Sequence, residues 1–154
     1  MKTRKIVFTL AVCFIGTTLC FAQKGFMGTW KLNEAKSKFA PGATKNSTVT
    51  YEASADSVKV TVDGTDASGK AVHSEWTGKF DGKDYPVTGD PNSDMRSYDW
   101  RSAHHLSFRG KKDGKVTTDG TIALSPDGKT RTVTVTGKDA QGKRSKSTAV
   151  YDKE

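Results

Sequence analysis

Apolar and polar residues alternate with a period of two along most of the stretch from residue 47 to residue 152. Val58, Val60 and Val62 fall on one side of an extended chain, and Lys59, Thr61 and Asp63 on the other. The same alternation sets Val72, Ser74, Trp76, Gly78 and Phe80 against His73, Glu75, Thr77 and Lys79. It recurs as Val116, Thr118, Gly120, Ile122 and Leu124. Period two means that successive side chains leave opposite faces of a strand, so each run has one dry and one wet face. The runs cover 26–33, 47–55, 57–63, 70–80, 83–88, 94–100, 103–111, 115–125, 129–137 and 143–152. Between them stand Asp63-Gly64, Ser68-Gly69, Asp81-Gly82, Asp113-Gly114, Asp127-Gly128 and Gln141-Gly142. Such pairs supply the positive φ that tight hairpins need.

Short strands joined by hairpins make a meander, and a meander of about ten strands exposes two unpaired edges unless it closes. The expected fold class is therefore all-β: a single antiparallel up-and-down barrel of eight to ten strands, with a two-sheet sandwich as the alternative. One longer connection, Asn33 to Asn46, is Lys-rich, contains Pro41-Gly42 and is expected to carry a short helical turn at Glu34–Lys38. An internal repeat aligns residues 60–70 with 133–143, and Ser74 with Ser147. If Val60 and Val62 point inward, so do Val133 and Val135; Trp76 then corresponds to Ala149, and Tyr151 also points inward.

Composition strengthens the β reading. Beyond residue 22 there are three Leu and one Ile against ten Val and sixteen Thr. Val and Thr are stiff at Cβ and suit a pleated surface. Residues 1–22 differ from the rest. Lys2, Arg4 and Lys5 precede an apolar run from Ile6 to Ile15 and then Cys20-Phe21-Ala22. This is the pattern of a secretory signal peptide cut after Ala22. The run is too short to span a bilayer, and Thr-Thr-Leu before Cys20 does not fit a lipoprotein signal. Cutting there would remove three of the 25 basic residues and no acidic one, taking the formal charge from +8 to +5. It would also remove Cys13 and Cys20, leaving a domain of residues 23–154 with no disulfide, no thiol nucleophile and no Cys-ligated metal. The expected location is the periplasm or the exterior.

Gly28-Thr29-Trp30-Lys31-Leu32 after Phe26, and Val150-Tyr151-Asp152-Lys153-Glu154 at the end of the sequence, resemble the two ends of fatty-acid-binding proteins and lipocalins. The chain also resembles small secreted bacterial lipocalin-like proteins of unassigned function, through residues 28–33, 36–39, 82–89 and 125–130. The resemblance implies a calycin-like barrel in which Trp30 plugs one end against the Gly28 backbone. In fatty-acid-binding proteins an Arg-x-Tyr on the last strand holds the ligand carboxylate. Here the Tyr is Tyr151, but the Arg position is Ala149.

Sites of reactive chemistry are thin. Asp90-Pro91-Asn92-Ser93-Asp94 opens like a calcium loop, but Met95 stands where Gly is required and Arg101 where Glu is. A self-capping turn explains it. His104 and His105 are neighbours on an expected strand and so face opposite ways. No nucleophile elbow, metalloprotease helix or phosphate loop occurs. Trp100-Arg101 and Phe108-Arg109-Gly110-Lys111-Lys112 mix basic and aromatic residues as two faces of strands would, which favours a basic rim over nucleic-acid binding. Arg131 shares the parity of Val133 and Val135, and Arg96 that of Tyr98 and Trp100. Each Arg lies inside the barrel and needs a partner, or sits at a strand end and reaches solvent.

The functional expectation is a non-enzymatic barrel holding a small apolar or amphipathic ligand, with no cofactor, metal, nucleic acid or membrane span. Val60, Val62, Val72, Trp76, Phe80, Leu106, Phe108, Ile122, Leu124, Val133 and Val135 would line it. Trp76, Phe80, Phe108, Arg131 and Tyr151 are the candidate ligand contacts, the last two as polar handles; Gly28 and Trp30 are structural. The rival is an interaction module with a filled core, its basic exterior meeting an anionic envelope component or another protein. An uncharacterised hydrolase-type enzyme is the third reading.

Overall fold

A computed structural model describes residues 23–138 and 144–154. The expected signal peptide and the turn at Gln141-Gly142 lie outside the described residues. One helical turn at 23–26 precedes ten strands. These are β1 (Gly28–Lys38), β2 (Lys45–Ser54), β3 (Ser57–Thr65), β4 (Ala71–Gly78) and β5 (Tyr85–Thr88), then β6 (Met95–Ser102), β7 (His105–Lys112), β8 (Lys115–Leu124), β9 (Thr130–Lys138) and β10 (Arg144–Lys153). Each strand pairs antiparallel with its neighbour in sequence, and β1 pairs with β10, so the ring closes. The fold is a single ten-stranded up-and-down barrel rather than a sandwich, and it fits a calycin-like architecture. Closure leaves no edge strand exposed.

The ends of the barrel differ. One carries the helical turn and the β2–β3, β4–β5, β6–β7 and β8–β9 connections. There Phe26 and Trp30 are wholly buried, and the Trp30 indole N–H donates to the Phe26 carbonyl at 2.9 Å. Lys153 lies over the Trp30 ring and donates to the Gly25 carbonyl at 3.0 Å. Gly28, at φ +104°, makes the turn into β1 that only glycine adopts readily. Trp30 and Phe26 close this end. The other end, termed the mouth, gathers the β1–β2, β3–β4, β5–β6 and β7–β8 connections.

Register follows the period-two reading. Val58, Val60 and Val62 on β3 stand opposite Gly78, Trp76 and Ser74 on β4, all inward. Ala149 pairs with Val133 and Tyr151 with Arg131, as the repeat implies.

Three expectations are corrected. The segment 34–38 forms no helical turn. β1 continues to Lys38 with residues 34–37 bulged between the pairs Asn33–Val150 and Lys38–Thr148. Ser37 Oγ donates to the Asn33 carbonyl at 2.7 Å and accepts from the Val150 amide at 2.9 Å, filling the gap in the ladder. Val116 does not join the inward row of β8. The β7–β8 register shifts beside Gly110, and Val116 is left 55% exposed near the mouth. His104 lies in the turn before β7, not on a strand.

Candidate functional site

The interior floor is set by β9. Arg131 is the second residue of that strand, next to the plugged end, and its parity turns it inward between Leu124 and Tyr151. It is 1% exposed, which excludes the strand-end reading. Three rings surround its guanidinium. The carbon lies 4.8 Å from the Tyr151 ring centre, 4.9 Å from Tyr51 and 5.0 Å from Trp30. Ring faces attract a cation, but they accept none of its in-plane hydrogen bonds. Nε and Nη1 have no hydrogen-bond partner.

Tyr151 gives Arg131 no oxygen. Its hydroxyl donates to the Asn46 carbonyl at 3.0 Å, and it offers Arg131 its ring. Ala149 packs as a buried wall residue where the resemblance would place an anchoring Arg.

The second half of the site is aromatic. Trp76 stacks on Phe80 at 6.1 Å, and Tyr98 meets Trp76 at 4.8 Å, Phe80 at 5.5 Å and Phe108 at 5.9 Å. Edge-to-face and offset pairs of this kind suit the charge distribution of the rings. Gly78 makes room for the cluster: a Cβ there would meet the Trp76 and Tyr85 rings at 2.6 Å. Tyr51 joins the two halves, lying 6.4 Å from Phe80 and facing Arg131.

Nearer the mouth, Arg96 at the start of β6 pairs with Asp90 of the β5–β6 connection at 2.5 Å. Both side chains are largely buried, and Arg96 Nε has no partner. Asp90 Oδ1 accepts the Asn92 amide at 2.8 Å, so the Asp-x-Asn-x-Asp segment is a self-capping turn that also neutralises Arg96. Arg96 and Tyr98 share one face of β6, and the Tyr98 phenol is within electrostatic reach of both Arg96 and Arg131. Burial pushes the Tyr98 and Tyr151 phenols up to about 12, so both are neutral donors at ordinary pH.

The inward apolar positions differ in how closely they are covered. Val72, Phe108, Val133 and Val135 keep only half-buried side chains on inward positions, whereas Val58, Val60 and Leu106 are closed off. Phe39 packs against the core, with the Lys45 ammonium 5.4 Å from its ring. Two clefts, of about 220 and 280 Å³, lie at the plugged end. The first is floored by Val58, Phe80 and Trp100; the second is bounded by His104 and residues 124–128.

All five candidate contacts therefore face the interior, in two groups: Trp76, Phe80 and Phe108 around Tyr98, and Arg131 with Tyr151. Sequence reasoning missed Tyr51, which connects them. Its alternation with Val49 on β2 was the available signal. Among the described residues no group of three or more His, Cys, Asp and Glu could hold a metal. No described helix is long and apolar enough to cross a membrane.

No protein-family model matches the chain, and no curated protein matches it. Among solved structures it is similar to EF1p2_mFAP2b bound to DFHBI, with 10% identity and a TM-score of 0.49, over 87% of this chain and 98% of that one. It is also similar to a redesigned β-barrel, mFAP1, bound to DFHBI, with 13% identity and a TM-score of 0.46, over 86% of this chain and 99% of that one.

Proposed function

We propose that the protein is a non-enzymatic binding protein that takes a small amphipathic anion into the barrel, its anionic group directed at Arg131. One observation carries the reading: a fully buried guanidinium with two nitrogens lacking any hydrogen-bond partner. Burying a charge without hydrogen bonds is costly, and a bound carboxylate or similar oxyanion relieves that cost. The half-buried inward residues Val72, Phe108, Val133 and Val135 give the rest of the ligand an apolar wall. The filled floor limits its length, so a compact ligand fits better than a long extended chain. The protein acts after export and removal of residues 1–22, alongside the secreted bacterial lipocalin-like proteins its sequence resembles.

The test is titration calorimetry with decanoate on the purified protein. Saturable binding at micromolar to millimolar concentration, lost in Arg131→Gln, supports the reading. Absent binding, or binding indifferent to that substitution, overturns it. The packing of Trp76, Phe80 and Tyr98 favours a second reading, an interaction module whose interior is only a core. That reading predicts no bound decanoate and no co-purifying small mass.

A further inference from the structure

The interior holds two arginines with different accounts. Arg131 has no acidic partner among the described residues, whereas Arg96 is already neutralised by Asp90. Their backbones lie at opposite ends of the barrel, Arg96 beside the mouth and Arg131 beside the plug. Tyr98 follows Arg96 by two positions on the same face of β6, and its phenol is within electrostatic reach of both guanidiniums. Resting on the reading of Arg131 above, we propose that Arg96 and Tyr98 form a second, neutral polar contact of the same site. They select anions that carry an uncharged oxygen acceptor, such as a hydroxyl or oxo group, several atoms from the anionic group.

The argument is one of charge and of unmet donors. Arg96 Nε has no partner, so it lacks an acceptor. A second anion is a poor acceptor, because Asp90 sits on the same guanidinium and would repel it across a poorly screened interior. A hydroxyl or ketone oxygen meets the need without adding charge. Trp76 holds the contact in place: its indole N–H donates to the Arg96 carbonyl at 3.0 Å and fixes the strand on which Arg96 stands. A site with buried donors penalises a ligand that leaves them unmet, so selection follows from the site itself.

The experiment compares decanoate, a set of hydroxydecanoates differing in hydroxyl position, and decanedioate by calorimetry. It uses the wild-type protein, Tyr98→Phe and the double variant Asp90→Asn/Arg96→Gln. The double variant removes both charges together and avoids stranding Asp90. At least one hydroxydecanoate should bind about tenfold or more tightly than decanoate to the wild-type protein, the gain expected of a hydrogen bond to a charged donor. Decanedioate should show no such gain. The preference should fall toward unity in the double variant. Decanoate binding through Arg131 without any hydroxyl preference overturns this inference and leaves the Arg131 reading standing. So does a preference that persists in both variants, or one for the dianion. Failure of every ligand to bind overturns both.

Discussion

Arg131 carries a full charge into an interior of aromatic rings, and its consequences can be separated by substitution. Replacing a buried, unpaired charge by an apolar side chain of similar length is often neutral or stabilising, by as much as about 1–4 kcal/mol. Arg131→Met should therefore keep or raise the urea midpoint while abolishing anion binding; a large loss of stability would show instead that the ring contacts hold the fold together. The phenols give a second test. Burial raises Tyr98 and Tyr151 to about 12. The unfolded chain gives up these protons near pH 10, and the folded chain keeps them. The favourable term is thus whole below pH 10 and is lost as pH rises toward 12. Ultraviolet titration should show Tyr98 and Tyr151 ionising late, with stability falling across the same interval.

The strands differ in how well they are tied. β3 is paired along its length with β2 and β4. β5 has four residues, and its ladder shows two register pairs with β4 and two with β6. Short pairing leaves fewer bonds to break together, so local opening is easiest there. Native-state hydrogen exchange should find the amides of β5 exchanging faster than those of β3 and β9. Trp76 partly offsets this weakness by reaching from β4 to the Arg96 carbonyl on β6, beneath β5. The bulge in β1 shows the opposite device, a serine hydroxyl standing in for a missing ladder bond.

For the whole molecule, closure between β1 and β10 makes the first and last strands part of one core. Trp30 is wholly buried against Phe26 and Arg131. Trp30→Ala should cost about 3–5 kcal/mol, the range for emptying a buried aromatic site, and a denaturant melt measures it. Export is tested independently: intact-mass analysis of secreted protein should find Gln23 at the N-terminus, and retention of residues 1–22 would refute cleavage.

Much of this architecture was legible in the chain because strand periodicity and turn chemistry are local. Val58–Val62 and Asp81-Gly82 report their conformation through neighbours two or three residues away, and ten strands with costly edges leave closure as the simple outcome. The face of Tyr151 followed from parity alone, and so did the inward option for Arg131. What parity does not carry is distance across the barrel. Whether Arg131 met an oxygen, a ring or water depended on residues from β1, β2 and β10, separated from it by up to about a hundred positions, and only their packing decided that it met three rings. The same holds for the bulge at 34–37, where a polar, Lys-rich segment with no alternation became strand because β10 offered an unpaired ladder. It holds too for Asp90, whose turn looked self-contained until folding brought Arg96 against it. Local preference determined the elements; the three-dimensional convergence of distant side chains determined the site.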